Sequence, residues 1–243
     1  MLGTPVVLPL SGLTIQARPS DGIGRLLCYF RDGADELFAF MKGYLKPGMT
    51  FVDVGANIGS HTVYGARLVS SGGKVFSFEA DPETFELLQN NLKVNNVENA
   101  TLFCCCVADK AGPVTFNISV NSARSSMLRQ GNSQRILQAS TLDQLLSPEL
   151  QIDLLKIDVE GADYLVLSGA RRIFAARPPS IVVIEVSSRK KEIEDFLLSY
   201  GYRLYRFDHG KSSLTEVQSA GFNTFAIRDG VRNELSAFDF RPC

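Results

Sequence analysis

The sequence predicts an α/β protein in which helices cover both faces of a mostly parallel sheet, with a short β extension in front of it. Between residues 50 and 200, apolar runs of strand length alternate with longer segments of helical periodicity, which is the pattern of consecutive βαβ units. The run over 180–186 is almost entirely apolar, as in a strand that is covered on both faces. Turn-forming residues separate the segments, which indicates where each strand and helix begins and ends.

The first 45 residues predict a small β extension followed by a helix. Short apolar runs separated by turn residues favour antiparallel strands at 6–10, 13–17 and 25–30. A helical pattern over 33–45 ends at the sequence Lys46-Pro47-Gly48. We therefore expect an N-terminal β extension over residues 1–32 and a main domain over residues 33–243.

Strand and helix patterns then alternate through the main domain. Strands are predicted at 50–54, 74–78, 100–107, 114–120, 154–159, 180–186, 202–207 and 224–227. Helices are predicted at 60–69, 82–94, 142–146, 162–175 and 189–200. Asp81 is a good N-cap in front of Pro82, and Gly201 suits the position after a helix end. The polar stretch 121–137 predicts a long loop and a candidate substrate lid, with Asn121, Ser125 and Ser126.

Composition excludes several classes of protein. The chain has 243 residues, and its 45% apolar content is enough to fill a core, which excludes a disordered or fibrous chain. Because 25 basic residues face 26 acidic ones, binding dominated by phosphate charge is disfavoured and no nucleic-acid partner is expected. The sequence does not indicate an oligomeric state.

The pattern of cysteines limits the metal sites that are possible, and the apolar runs indicate the cellular compartment. The five cysteines are odd in number and three are adjacent, at 104–106, which fits neither a disulfide framework nor a zinc site. With only two histidines, a multi-histidine metal site is also excluded. No run approaches the ~18 apolar residues of a membrane helix, and residues 1–10 lack the basic start of a secretory signal. We interpret the chain as soluble and cytoplasmic.

The residues that follow the first two strands of the main domain predict a nucleoside site, because open α/β sheets bind ligands beyond the carboxyl ends of their strands. Gly55 permits a tight turn, and Gly59 lets a ligand approach the positive end of the next helix. The second strand ends at Glu79, a carboxylate placed to accept both hydroxyls of a ribose.

The spacing of the glycines favours one adenosine-containing ligand. A dinucleotide fingerprint requires Gly-x-Gly-x-x-Gly, whereas Ala56 and Asn57 fall inside a Gly-x-x-x-Gly spacing. Asp53, just before the loop, would repel a pyrophosphate and suit an ammonium group. A ligand with a ribose at one end and an ammonium at the other is S-adenosylmethionine. A nucleotide-dependent oxidoreductase and a non-catalytic adenosine-binding module are the alternatives.

Three sequence blocks resemble the FkbM-type methyltransferases, a branch of the class I S-adenosylmethionine-dependent enzymes. The blocks are FVDVGANIGSHT at 51–62, FEADP at 78–82 and LKIDVEG at 155–161, supported by STLDQL at 140–145, LSGA at 167–170 and IVVIEV at 181–186. The resemblance covers about residues 33–187. It implies a Rossmann-like, seven-stranded sheet with a terminal antiparallel hairpin. It also implies methyl transfer, usually to a hydroxyl of a sugar, glycolipid or natural product.

The resemblance also implies roles for individual positions. The methionine end of the cofactor would be lined by Asp53, Gly55, Ala56, Asn57, Gly59 and Ser60. Glu79 would accept the ribose hydroxyls, Ala80 would touch the adenine, and Val107 and Ala108, at the end of the third strand, would complete its pocket. Asp158 would lie closest to the transferred methyl group, with Glu160 just beyond it. Asp163 stands where the family often carries Glu.

Strand alternation places Lys156, Asp158 and Glu160 on one side of their strand. We interpret the lysine as a neutralising partner and the two carboxylates as catalytic candidates, since charges at the end of an apolar strand are costly without a purpose. His61, in the first turn after the glycine loop, is a rival catalytic base. No third acidic residue can be placed beside Asp158 and Glu160 from the sequence, so we predict an enzyme without a metal ion.

Overall fold

The structure is a computed structural model that describes residues 4–8, 12–17, 36–118 and 133–241. The helices are α1 (Glu36–Tyr44), α2 (Ser60–Val69), α3 (Pro82–Val94), α4 (Leu142–Leu145), α5 (Asp163–Ser168), α6 (Arg171–Ala176) and α7 (Lys190–Ser199). The strands are β1 (Thr4–Leu8), β2 (Leu13–Ala17), β3 (Thr50–Val54), β4 (Lys74–Glu79), β5 (Ala100–Cys104), β6 (Cys106–Val107), β7 (Gly112–Ile118), β8 (Ser133–Ser140), β9 (Leu154–Ile157), β10 (Ile181–Glu185), β11 (Tyr202–Asp208), β12 (Ser213–Glu216), β13 (Asn223–Arg228) and β14 (Asp239–Arg241). A 3₁₀ helix covers Asp229–Glu234.

One large sheet organises the fold. Its strand order is β14-β12-β11-β13-β10-β9-β3-β4-β5. The five strands from β10 to β5 run parallel. Strand β13 pairs antiparallel with β10, and β11 pairs antiparallel with β13. The predicted α/β class is therefore confirmed, with the expected terminal hairpin. The sheet has nine strands rather than seven because β12 pairs with β11 and β14 pairs with β12.

Two hydrophobic layers cover the sheet. Side chains of α1, α2, α3 and β2 pack on one face with Phe51, Leu154 and Val183 of the sheet. Side chains of α4 to α7 pack on the other face with Val52, Leu155 and other alternate strand residues. Since strand side chains alternate between faces, neighbouring residues of each central strand belong to opposite layers, which explains why these strands are apolar throughout.

The hairpin formed by β1 and β2 docks on helix α3. Asn91 of α3 and Asn95, the residue that caps the end of α3, bond the backbone of β2 as a neighbouring strand would. The Asn95 side chain accepts from the Thr14 amide at 3.1 Å and donates to the Thr14 carbonyl at 2.7 Å. Asn91 pairs with Gln16 in the same way, at 2.6 and 3.0 Å, and also donates to the Ile58 carbonyl at 2.7 Å. The hairpin is thus tied to the loop after β3, while the division into an extension and a main domain stays a prediction.

Two predicted elements are each divided in the structure. The helix expected over 162–175 is divided into α5 and α6 at Gly169, where a Cβ would lie 2.0 Å from the carbonyl oxygen of Ala108. The strand expected over 100–107 ends at Cys104, and Cys106 and Val107 join a separate sheet of order β6-β8-β7. Among the three adjacent cysteines only Cys106 is buried.

The long loop predicted over 121–137 is wrong in its last five residues, which belong to β8 and pair with β7. The candidate lid residues Asn121, Ser125 and Ser126, and the strand expected at 25–30, lie outside the described residues. Within the described ranges, no helix combines the length and the apolar character needed to cross a membrane.

Candidate active site

Polar side chains collect on one face of the sheet, at the carboxyl ends of its parallel strands. On β3, β9 and β10 the residues that share the parity of Phe51, Leu154 and Val183 face α1–α3. This parity places Asp53, Lys156 and Glu185 on the same face. Asp53 is opposite Lys156 in the neighbouring strand and opposite Ser77 on its other side. The polar side chains at the end of the sheet where a ligand is expected therefore all come from the face that α1–α3 cover.

The loop after β3 is held in a left-handed turn by its glycines. Gly55 has φ +79°, and a Cβ at this position would lie 1.9 Å from the carbonyl oxygen of Asp158. Gly59 has φ +88°, and its Cβ would lie 2.3 Å from Leu88 Cδ1. Side chains at these two positions would push the loop away from β9 and from α3, which explains why both are glycine.

Several amides of this loop are used inside the protein. Gly55 and Ala56 both donate to the Phe78 carbonyl, at 3.0 and 2.9 Å, and Gly59 donates to the Ala56 carbonyl at 2.9 Å. These three amides are therefore engaged within the protein, and the assignment of Gly55, Ala56 and Gly59 to the cofactor site stays a prediction. Ala56 is 4% exposed, and Ser60, the first residue of α2, is partly buried.

Asn57 carries an acceptor without a partner. Its backbone is left-handed, with φ 52°, a conformation that asparagine tolerates better than most residues. Its side-chain Oδ1 is buried and accepts no hydrogen bond within the described part of the chain. A buried, unsatisfied acceptor is costly, and an ammonium group placed in the loop would satisfy it. The residues present thus fit the methionine end of S-adenosylmethionine.

Glu79 is held at the end of β4 by two backbone amides. Asn57 donates to its Oε2 and Asp81 donates to its Oε1, each at 2.9 Å. Burial raises the pKa of Glu79 to about 7, against the opposing effect of these two hydrogen bonds. A carboxylate can accept about four hydrogen bonds, so two acceptor positions remain for the hydroxyls of a ribose.

Asp53 is fully buried and both of its carboxylate oxygens are bonded. Thr62 Oγ1 donates to Oδ2 at 2.7 Å, and Lys156 Nζ donates to Oδ1 at 3.0 Å. Direct contact between Asp53 and a cofactor ammonium, as the sequence predicted, is not supported, because the carboxylate lies under the loop rather than facing the site. Asp53 instead supports the loop from below.

Three carboxylates meet beyond β9 and β10. Oxygen atoms of Asp158, Glu160 and Glu185 all lie within 4.8 Å of one another, and Glu185 shares a hydrogen bond with Asp158. Burial and the charges of Asp158 and Glu160 raise the pKa of Glu185 to about 8. Glu185 therefore retains its proton at neutral pH. Glu185 is the third acidic group that the metal argument assumed to be absent, so that premise is wrong.

The backbone that presents these carboxylates is strained and supported. Glu160 has φ 54°, an uncommon conformation that is typical of functional sites. Asp163 accepts from the amides of Val159 and Gly161, both at 3.1 Å, and Ser188 Oγ donates to the Gly161 carbonyl at 2.6 Å. Asp163 is thus a structural support of the turn, and burial raises its pKa to about 6.

Other predicted residues are placed as follows. The His61 ring lies against Phe38 of α1, with ring centroids 4.5 Å apart. Val107 and Ala108 are each only 3% exposed. They do not end the third strand as predicted, because the Cys105 amide turns back to the Glu79 carbonyl at 3.1 Å and the chain enters β6. Ala80, just after β4, is partly buried beside these residues.

Sequence reasoning missed Glu185 and the orphaned acceptor of Asn57. The signal for Glu185 was available, since it is the only charged residue of the strand Ile181–Glu185 and ends it. The Asn57 acceptor could not be found from sequence, because its isolation depends on the folded loop.

The architecture and the site together define the class. The strand order β5-β4-β3-β9-β10-β13-β11, with a glycine loop after β3 and a carboxylate ending β4, is that of a class I S-adenosylmethionine-dependent methyltransferase. The profile of the family described as "Methyltransferase FkbM domain" matches residues 53–204. The chain belongs to this family. It thus contains a methyltransferase domain of this family, and its cofactor is S-adenosylmethionine.

Individual curated proteins resemble this chain only over short segments. The chain is 33% identical over 66 residues to the "Probable cobalt-precorrin-6B C(15)-methyltransferase (decarboxylating)" of Sulfolobus acidocaldarius, over 27% of this chain and 34% of that protein. The protein of the same name from Sulfurisphaera tokodaii is 38% identical over 64 residues, 25% of this chain and 33% of its own length. The matched segment therefore spans about a third of these curated relatives.

Three solved structures illustrate the similarity of the backbone fold. The precorrin-6y C5,15-methyltransferase of Geobacter metallireducens is 14% identical over 79% of this chain and 85% of its own, with TM-score 0.47. An S-adenosylmethionine-dependent O-methyltransferase of Thermotoga maritima is 16% identical over 88% and 72%, with TM-score 0.46. An rRNA methylase of Streptococcus thermophilus is 12% identical over 79% and 91%, with TM-score 0.44.

Proposed function

We propose that this protein transfers the methyl group of S-adenosylmethionine to a hydroxyl oxygen of a small molecule, a sugar or glycan, or a natural product. The observation that carries the proposal is the group of carboxylates formed by Asp158, Glu160 and Glu185 beyond the glycine loop. A hydroxyl acceptor loses a proton during transfer, and a carboxylate beside it can accept that proton.

Each part of the site has a role in this reaction. S-adenosylmethionine, when bound, supplies a methyl group on a positively charged sulfur, which departs as a neutral thioether. Asn57 Oδ1 would accept from the ammonium end of the cofactor and Glu79 would accept from its ribose hydroxyls, with Asp158 available beside the transferred methyl group. Holding the acceptor oxygen in line with the methyl group accounts for most of the acceleration. Asp158 accepts the hydroxyl proton as the oxygen–carbon bond forms and the carbon–sulfur bond breaks.

The charge of the site favours an acceptor without phosphate groups. The three acidic side chains, of which Glu185 keeps its proton, give this end of the sheet a negative charge, which Lys156, 3.7 Å from Asp158 Oδ2, offsets only in part. Phosphate groups would be repelled there at close range. This electrostatic argument favours a neutral, hydroxyl-bearing acceptor over RNA.

The experiment is transfer of a ¹³C-labelled methyl group from S-adenosylmethionine to a panel of sugars, glycolipids, polyketide-type alcohols and total RNA. We expect a labelled product whose carbon chemical shift is that of a methyl ether. A product with the shift of a carbon-bound or nitrogen-bound methyl group, or label found only in RNA, would overturn the proposal. The same assay with a chelator, followed by added magnesium, tests the prediction of a metal-free reaction: turnover that is lost and then restored contradicts it.

A further inference from the structure

The lysine of the central strand β9 occupies an unusual position for a positive charge. Lys156 is 4% exposed and lies between the apolar residues Leu155 and Ile157 in the middle of the sheet. Removing an ammonium group from water is expensive, and one attraction to a neighbouring carboxylate does not generally repay that cost. The number and placement of its contacts therefore indicate what the side chain contributes.

The ammonium of Lys156 joins three separate segments around the methyl-donor end of the site. Nζ donates to Asp53 Oδ1 at 3.0 Å and to the carbonyl oxygen of Gly55 at 2.9 Å. It also forms an ion pair with Asp158 Oδ2 at 3.7 Å. These partners lie on β3, in the glycine loop and after the end of β9, respectively.

The Asp53 contact is itself fixed from a second direction. Thr62 Oγ1 donates to Asp53 Oδ2, and it lies 3.0 Å from Ser77 Oγ of β4. Ser77, Thr62 and Asp53 thus form a polar chain that reaches Lys156, and each of these four residues is less than 5% exposed. Because the chain holds the ammonium in one place, the ammonium can in turn fix the two groups that face the ligand.

The Gly55 carbonyl is the group whose position matters most for the cofactor. The loop turns there with φ +79°, and its backbone approaches the backbone of Asp158 so closely that no side chain fits. A counter-ion for Asp53 would not need to reach this carbonyl. The second donor of Lys156 does reach it, and so connects the glycine loop to the strand that carries Asp158.

We propose that Lys156 is a positioning residue of methyl transfer, which fixes the Gly55 carbonyl and the Asp158 carboxylate relative to each other and thereby shapes the methionine end of the cofactor site. This role requires only the S-adenosylmethionine cofactor and does not depend on the acceptor being a hydroxyl. Failure of the proposed O-methyl transfer and failure of this inference are therefore separate results.

The test separates positioning from charge neutralisation by comparing Lys156→Met, Asp53→Asn and the double variant. Stability is measured by urea unfolding, and affinity for S-adenosylhomocysteine is measured by calorimetry. Lys156→Met alone leaves Asp53 as an uncompensated buried charge, so we expect a large loss of stability. In the double variant no buried charge remains in this pair, and stability returns close to that of Asp53→Asn.

The decisive quantity is the affinity of the double variant. If Lys156 positions the loop, S-adenosylhomocysteine binds at least about tenfold more weakly than to Asp53→Asn, although stability has recovered. If affinity recovers together with stability, or if Asp53→Asn alone shows the whole loss, Lys156 is only a counter-ion and the inference is wrong. The double variant keeps the test decisive even if Lys156→Met does not fold. Lys191→Met, which removes an exposed pair with Asp195, is the matched control and should change neither quantity.

Discussion

Two strand ends of the sheet carry carboxylates, and the structure treats them in opposite ways. At the end of β4, the single carboxylate of Glu79 accepts two backbone amides at 2.9 Å and is fixed before any ligand arrives. At the ends of β9 and β10, oxygen atoms of Asp158, Glu160 and Glu185 lie within 4.8 Å of one another, and Glu185 keeps its proton at neutral pH. The first arrangement suits the binding of an invariable group such as ribose, and the second suits the movement of a proton.

The difference shows which charges are held by the fold and which by their neighbours. Glu79 depends on the backbone of the glycine loop and of the segment before α3. The three acidic side chains at the ends of β9 and β10 depend instead on Lys156, on the turn that Asp163 supports, and on the proton that Glu185 retains. We therefore expect substitutions at the Glu79 end to change cofactor affinity, and substitutions at the Asp158 end to change the rate of transfer.

The largest expected effect is on catalysis at the Asp158 end. Asp158→Asn keeps the shape of the side chain but accepts no proton, so kcat should fall by about 10²–10⁴ while S-adenosylhomocysteine affinity stays largely intact. The measurement is steady-state methyl transfer to the acceptor found with the labelled cofactor, with calorimetry on the same protein. Asp195→Asn, at an exposed position on α7, is the control. A near wild-type rate in Asp158→Asn together with an inactive His61→Ala would assign the base to the histidine.

The next largest effect is on the loop that joins the two ends. Gly55→Ala would place a Cβ 1.9 Å from the Asp158 carbonyl oxygen and force φ +79° on a residue with a side chain. We expect a loss of about 3–5 kcal/mol in the free energy of unfolding, measured in urea, with loss of cofactor binding.

Gly48→Ala is the matched control for that substitution. Gly48 also has a positive φ, +90°, but nothing lies within 4 Å of its Cβ position. Gly48→Ala should lower the free energy of unfolding by only about 1 kcal/mol, the cost of the strained backbone conformation. Equal losses at both glycines would show that the close approach between the loop and β9 is unimportant.

At the ribose end the expected effect is smaller and confined to affinity. Glu79→Ala removes the acceptor for both ribose hydroxyls, and hydrogen bonds to a charged acceptor contribute about 1.5–3 kcal/mol each, so S-adenosylmethionine should bind at least about tenfold more weakly. Calorimetry on the folded variant provides the measurement. Glu83→Ala, which removes an exposed partner of Arg135, should bind normally. Unchanged binding in Glu79→Ala would remove Glu79 from the ribose site.

The smallest effect is the pH dependence of stability without cofactor. The folded pKa of Glu79 is raised to about 7 and that of Glu185 to about 8. The folded protein therefore keeps protons that the unfolded chain has lost above pH ~4.5. The stabilising contribution of the two groups is fully present below that pH and is lost as pH rises through their folded pKa values near 7 and 8.

Glu185→Gln should flatten the upper part of this decline, because the amide has no proton to lose. Urea unfolding between pH 5 and pH 8.5 measures the slope for both proteins. A wild-type stability that rises over this range, or an unchanged slope in Glu185→Gln, would contradict the assignment of the retained proton to Glu185.

Much of the fold could be predicted because its signals are local. The βαβ alternation predicted the parallel sheet, and the N-cap at Asp81 is observed, with its carboxylate accepting from the Thr84 amide at 3.0 Å. The predicted helices at 60–69 and 82–94 agree with α2 and α3. The strands β8, β12 and β14 were missed, because each is stabilised by pairing with a neighbouring strand rather than by a clear pattern in its own sequence.

The sequence alone predicts which polar residue follows each strand. It also predicts the face of the sheet on which alternation places that residue. Period-2 alternation is a property of any strand, so it applied to Lys156 and Asp158 before the fold was known. How these polar ends interact depends on the folded structure. There Asp53 is buried against Thr62 and Lys156, and Glu185 of the next strand lies beside Asp158. The physical reason is that hydrogen bonding and proton sharing act over a few ångströms between segments that are far apart in the chain, and local sequence does not encode those distances.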